Sequence, residues 1–177
     1  MNSSLPTREQ AIELLQRNHC SPQVISHCQT VAKIALEIGM LLKEKGVAID
    51  LHLVLFGALL HDIGRSKTNG VNHGVAGAEI AEKENLSEAV ATIIRKHVGG
   101  GFTAQEAIKL GWPPGDYMPS TLEEKVVSYA DKLADNSKGR KAPIEDEVKR
   151  LKAAGHNEAA ERVWKLHLEI TGLLGDC

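Results

Sequence analysis

The sequence predicts an all-α fold, a compact single-domain helical bundle, on three observations. Apolar residues recur at three- and four-residue spacing behind helix-start signals along nearly the whole chain. No period-two run of β-branched residues appears that could make a half-buried strand. The 177 residues are enough to fill one core, and no composition shift, low-complexity stretch or internal repeat divides them.

The elements follow in order. Thr7 with Gln10 forms a capping box, and Ala11, Ile12, Leu14 and Leu15 then share a face of a short first helix. Ser21 caps a second helix with Pro22 at its first position. Val24, Cys28, Val31, Ala35, Ile38 and Leu42 form its stripe up to Gly46, and His27 lies within it. Asp50 caps a third, apolar nearly all round through Leu51, Val54, Leu55, Ala58 and Leu59, as an element buried on several sides must be. It ends at His61-Asp62-Ile63-Gly64. After a polar turn over 67–72, His73 precedes a helical pattern through Val75, Ala78, Ile80 and Ala81. Ser87 starts the next helix, which carries Val90, Ala91, Ile93 and Ile94 towards His97.

Gly99-Gly100-Gly101 reads as a helix stop and mobile loop, rather than as a nest of amides for a phosphate. Thr103 with Glu106 caps a short helix ended by Gly111, and the Pro-rich stretch from Trp112 to Pro119 is a loop. Its Trp112 and Tyr117 either cover a ligand ring or anchor the loop to the core. Thr121 with Glu124 caps a helix whose Leu122, Val126, Val127, Ala130 and Leu133 point inward, with Asp131 four residues after Val127 and on its face. Pro143 opens a charged helix, and Asn157 to Leu174 reads as the last.

Composition excludes several function classes. The net charge of -2 is spread without a basic run, which argues against binding to nucleic acid or to an anionic membrane. Six aromatic residues are too few for the stacking platforms of single-strand binders. Cys20, Cys28 and Cys177 form an odd set without C-x-x-C spacing, as in a reducing compartment. The first eight residues hold no apolar core of a leader, and the longest apolar run, Leu53 to Leu60, is far below the roughly 20 residues that span a bilayer. A cytoplasmic protein is expected, and a homo-oligomer is compatible with this composition.

The chemistry rests on His61-Asp62, which offers a metal one nitrogen and one oxygen from adjacent positions. Alone, the pair could equally be a polar helix end. His27, His73, His97 and Asp131 each lie on a separate helix or helix end, however, and a charged carboxylate on a packed face needs compensation. Mixed imidazole and carboxylate ligation suits iron, manganese, cobalt, nickel or zinc better than calcium.

In order and placement, His27, Leu59-Leu60-His61-Asp62-Ile63-Gly64-Arg65, His73-Gly74-Val75-Ala76-Gly77-Ala78-Glu79, His97 and Ser128-Tyr129-Ala130-Asp131-Lys132 resemble the HD superfamily of metal-dependent phosphohydrolases, in particular its HDIG subgroup. The resemblance covers about residues 21–135 and leaves a C-terminal helical extension at about 143–174 within one domain of 1–177. It implies that His27, His61, Asp62 and Asp131 hold one divalent transition metal. It also implies that His73 and His97 hold a second ion, which Asp62 bridges to the first. Arg65, with Lys67 and Lys132 behind it, is the cation for a substrate phosphate, and Asp62 and Arg65 are the expected catalytic residues. His19, His52, His156 and His167 match no position of the pattern. The implied activity is hydrolysis of a small phosphate ester, a nucleotide-like cyclic phosphodiester or phosphomonoester, by metal-activated water. The alternatives are a catalytically silent, metal-stabilised regulatory module and a di-iron oxygenase.

Overall fold

The structure, a computed structural model, describes residues 7–135 and 139–175; Cys177 and the first six residues lie outside them. Nine α-helices carry the described chain: α1 (Arg8–Arg17), α2 (Pro22–Glu44), α3 (Leu51–Leu60), α4 (His73–Lys83), α5 (Glu88–Lys96), α6 (Ala104–Lys109), α7 (Leu122–Leu133), α8 (Ile144–Ala153) and α9 (Asn157–Leu174). The start signals work as local chemistry demands. Side chains of Thr7, Ser21, Asp50, Ser87, Thr103 and Thr121 each accept a bond from an amide of the following first turn, and Thr7, Thr103 and Thr121 complete capping boxes.

α3 is the central element. Val54, Ala58, Leu59 and Leu60 are fully buried, and α1, α2, α5 and α7 pack around it. That explains its lack of a polar face. α4 packs on α5, and α8 on α9, which also packs on α7, on α2 and on the turn at 98–100. Among the described residues no helix is long and apolar enough to cross a membrane.

Three local features escape helical periodicity. A 3₁₀ turn, Ile63–Ser66, follows the His61-Asp62 pair. A second, Val98–Gly100, leads into Gly101, and all three glycines of this run have positive φ. Cβ atoms there would press on Arg162 and Val163 from Gly100 and lie 2.6 Å from Pro119 Cδ from Gly101. The segment expected to be a helix stop and mobile loop is a helix stop, and it packs closely against α9 and the loop at 117–119. Finally, β1 (Ala134–Asp135) and β2 (Arg140–Lys141) pair antiparallel, Ala134 opposite Lys141. Two residues per strand are too few to leave a periodic signal.

Candidate metal centre

Five helices or helix ends deliver six side chains to one place. His27 comes from within α2, His61 and Asp62 from the end of α3, His73 from the first position of α4, His97 from just beyond α5, and Asp131 from the last turns of α7. His61, Asp62, His73 and His97 are buried; His27 and Asp131 keep small exposures of 13% and 12% that open the group to solvent.

Asp62 divides the six into two sets. Its Oδ2 lies 3.6 Å from His27 Nε2 and 3.8 Å from His61 Nε2. Those imidazoles stand 3.2 Å apart and 3.0 and 3.5 Å from Asp131 Oδ1. Its Oδ1 lies 3.2 Å from His73 Nε2 and 3.4 Å from His97 Nε2, which are 3.0 Å from each other.

The backbone fixes which nitrogen points inward. His61, His73 and His97 each place Nδ1 within 2.7 to 2.8 Å of the carbonyl three residues earlier, that of Ala58, Gly70 and Ile94 respectively. A carbonyl only accepts, so Nδ1 donates its proton there and the neutral ring presents the Nε2 lone pair to the interior. Lone pairs facing at 3.0 Å repel unless a proton or a metal cation lies between or beside them. Asp62 Oδ1 supports the same reading: it is buried and makes no hydrogen bond although two imidazole nitrogens are close. Atoms aimed at a shared point rather than at each other have this geometry. The six residues therefore fit a divalent cation, with His27, His61 and Asp131 in one candidate ligand group and His61, Asp62 and His97 in another.

The electrostatics agree. Burial would raise the Asp62 carboxyl, but the imidazoles gathered around it, His61 first and then His73 and His97, hold it far below the carboxylate range. Burial would likewise raise Asp131, and Lys132 and His27 outweigh it downward. Burial pushes His97 down to about 4, so this ring is neutral at pH 7. At His61 burial also acts downward, but the Asp62 charge outweighs it and favours a proton at Nε2, the position a bound cation would take instead. Two ionised carboxylates and inward-facing imidazoles are the donor set of a transition-metal site.

Close backbone approach holds this arrangement. A Cβ on Gly64 would overlap the His73 carbonyl oxygen and lie 2.5 Å from the Gly77 amide nitrogen, and one on Gly77 would lie 2.6 Å from Ile94 Cγ2. The turn after Asp62 and the start of α4 are therefore in backbone contact. Ser128 Oγ donates to the His97 carbonyl at 3.1 Å and ties α7 to the end of α5.

Of the predicted cations, two reach the centre. Arg65 Nε donates to Asp62 Oδ2 at 2.7 Å, and Lys132 Nζ to Asp131 Oδ2 at 2.5 Å. Lys67 is exposed and lines neither cleft at the centre. Trp112 and Tyr117 also stay out of those clefts. Tyr117 is buried and donates to the Pro113 carbonyl at 2.8 Å, and Trp112 packs on Phe102 and Tyr117, so both anchor their loop.

Sequence reasoning missed three contributors. Lys96, buried on α5, donates to Asp116 at 2.8 Å, Ser120 at 3.2 Å and Glu124 at 3.3 Å, tying the Pro-rich loop to the start of α7. Its place three residues after Ile93 on an apolar face was the available signal. Arg150 of α8 borders both clefts, and His156, which no motif marked, borders the larger. The smaller cleft, about 340 Å³, reaches His27, Asp62, Arg65, Asp131, Lys132 and Arg150. The larger, about 620 Å³, runs from His73 and Asp131 to the start of α9.

A family model described as the HD domain matches residues 24–136. An uncharacterized protein of Methanocaldococcus jannaschii is 45% identical over 168 residues, which are 94% of this chain and 98% of that protein. The tRNA (cytidine(56)-2'-O)-methyltransferase of Picrophilus torridus is 37% identical over 171 residues, but these are 97% of this chain and 48% of the methyltransferase, so the chain spans about half of that relative. Ribonuclease Y of Clostridium kluyveri is 31% identical over 131 residues, 71% of this chain and 22% of that enzyme. Among solved structures, the HD domain of the L. monocytogenes phosphodiesterase PgpH in complex with cyclic-di-AMP superimposes with a TM-score of 0.56 at 15% identity, covering 93% of this chain and 96% of that one.

Proposed function

This chain belongs to the HD-domain family, and from that premise we propose that it is a metal-dependent phosphohydrolase acting on a small phosphate ester. The observation that carries the proposal is Asp62: a buried carboxylate whose two oxygens face two separate imidazole sets, one of them without any hydrogen bond. In this reading His27, His61, Asp62 and Asp131 would hold one divalent ion, and Asp62 with His73 and His97 would hold a second. Bound there, the metal supplies water activated towards hydroxide at neutral pH and charge to balance the phosphoryl oxygens.

The remaining work belongs to the chain. The Ala58, Gly70 and Ile94 carbonyls keep the protons on Nδ1 and leave Nε2 of His61, His73 and His97 for ligation. Arg65, anchored through Nε on Asp62, lines both clefts, where its guanidinium would meet a substrate phosphate. Lys132 adds a second cation beside Asp131. Iron, manganese, cobalt, nickel and zinc all suit this donor set.

A second reading, in which the ester is a phosphodiester of RNA, draws on relatives named as a tRNA methyltransferase and as ribonuclease Y. The overall charge of -2 and the scarcity of aromatic residues favour the small ester.

The test is a hydrolysis screen with each metal supplied in turn, across nucleoside monophosphates, 2',3'- and 3',5'-cyclic nucleotides, pterin phosphates, bis-p-nitrophenyl phosphate and short RNA. Metal-dependent turnover of a small ester, absent in Asp62→Ala, is the expected result. Unchanged turnover in Asp62→Ala would sink the assignment, and RNA cleavage alone would select the second reading. A metal-loaded protein that turns over nothing would instead be the catalytically silent module.

A further inference from the structure

α9 is packed along one stripe and bare on the opposite face. Ala160, Val163, Leu166 and Ile170 are buried, and α8, α7 and α2 are among its neighbours. The opposite face carries Trp164, Leu168 and Gly172, at the four-residue spacing that sets side chains one above another. Trp164 is 38% and Leu168 55% exposed, and neither they nor Gly172 line the clefts at the metal centre. Large apolar side chains grouped on a solvent face mark a surface that another molecule covers.

Two features of this face identify its occupant. Gly172 sits inside the helix, where glycine is the poorest former after proline, and a Cβ there would meet nothing within 4 Å among the described residues. Nothing in the described chain calls for a glycine at 172, whereas close approach by an outside surface does. Trp164 supplies the matching projection. Its indole tilts over the His167 ring at 4.9 Å, and His167 is hydrogen-bonded to the Tyr129 hydroxyl at 2.7 Å, so the ring is braced by its own fold. Leu168 lies midway between Trp164 and Gly172. A second copy of the helix, antiparallel and related by a two-fold axis at Leu168, therefore brings Trp164 level with Gly172 of the partner subunit in both directions. The charges agree with that register. Lys165 and Glu169 stand four residues apart on one edge of the face, and reversal of the second helix sets Lys165 within about 3 Å, measured along the axis, of Glu169 of the partner subunit. Lys125 Nζ steadies Glu169 at 2.5 Å and leaves 40% of its side chain exposed.

We propose that α9 is a dimer interface: two copies of this chain pair their α9 helices antiparallel about Leu168, each Trp164 against Gly172 of the partner subunit. This pairing does not depend on the reading of the metal centre. The 18 residues of α9 make a helix about 27 Å long, so the contact is smaller than the roughly 800 Å² per partner of a standard interface. The dimer is accordingly a reversible one, with a dissociation constant of about 10–100 µM.

The test is sedimentation equilibrium of the full chain from about 1 to about 500 µM, where a monomer–dimer equilibrium is expected. Leu168→Asp sets two like charges against each other on the axis. It should leave a monomer across the range with a melting temperature within about 2 °C of the parent, because the position is exposed. Gly172→Ala separates the interface from the helix itself: alanine should raise the melting temperature by about 2–4 °C through helix propensity and yet weaken the dimer at least about tenfold. Oxidative cross-linking reads the register in a Cys177→Ser background, in which Cys20 and Cys28 are buried. Leu168→Cys should link to itself, whereas Glu161→Cys, about 21 Å from its own copy along the antiparallel pair, should not. A chain still monomeric at about 500 µM would overturn the proposal, as would a dimer indifferent to Leu168→Asp or to Gly172→Ala. A self-link through Glu161→Cys without one through Leu168→Cys would overturn the antiparallel pairing.

Discussion

Gly64→Ala should damage the centre without touching any of its side chains. The added methyl would overlap the His73 carbonyl oxygen and sit 2.5 Å from Gly77 N and 2.9 Å from Gly77 Cα, all backbone atoms that no rotamer change can move. Relief requires the start of α4 to retreat by at least about half an ångström at Gly77 and by more at His73, against its packing on α5. Overpacking of this kind costs about 2–3 kcal/mol, which for a chain of this size lowers the melting temperature by about 5–10 °C. His73 travels with the displaced turn, away from Asp62 Oδ1, whereas His27, His61 and Asp131 are held by α2, α3 and α7. Calorimetric melting and metal analysis of the variant should therefore show a less stable protein that keeps one ion per chain and loses the second. A melting temperature within 1 °C of the parent, with unchanged metal content, would refute the reasoning about backbone contact.

Other perturbations test other parts. Arg65→Ala should raise KM about 10- to 100-fold for a phosphate ester, the loss of a charged hydrogen-bond pair, with kcat less affected; steady-state kinetics showing an unchanged KM would remove Arg65 from the phosphate site. Lys96→Met leaves Glu124 buried without its cation and should cost about 3 kcal/mol in denaturant unfolding, while Lys96→Met with Glu124→Gln recovers part of it. Additive losses in the double variant would show that the pair is not coupled. The chain has two tyrosines, and burial raises both phenols, Tyr129 to about 12. Absorbance near 295 nm should therefore stay flat through pH 10 in the folded protein, and stability should fall above pH 10, because the unfolded chain releases these protons first. A phenol titrating at its ordinary value in the folded state would contradict the packing of Tyr129.

Much of this was legible in the sequence because it is local. Thr7, Ser21, Asp50, Ser87, Thr103 and Thr121 act at their own helix starts, and a cap with the stripe behind it needs no knowledge of the rest of the fold. The apolar surface of α3 announced a central helix for the same reason. The six residues of the centre came from an ordered pattern, and helical placement explains why they converge: each stands where its helix meets α3 or its end. Distances were another matter. That Asp62 turns one oxygen to each imidazole set, and that three carbonyls fix the ring protons, depends on how α2, α4, α5 and α7 cross, which no spacing encodes. Lys67, two positions from Arg65 in the turn, is exposed and lines neither cleft, which its spacing did not announce. The glycine run was legible as a helix stop, but its packing was not, because its close neighbours, Arg162 and Pro119, are distant in sequence. The cleft wall from α8 and α9 was invisible because it lies outside any motif.

The most direct measurement is an anomalous difference map from a crystal of the chain grown with Mn²⁺. The account predicts two peaks about 3.5–4 Å apart, one about 2.0–2.3 Å from ligand atoms of His27, His61, Asp62 and Asp131, the other at His73, His97 and the second oxygen of Asp62. Clear side-chain density for these six residues with no anomalous peak among them would contradict it.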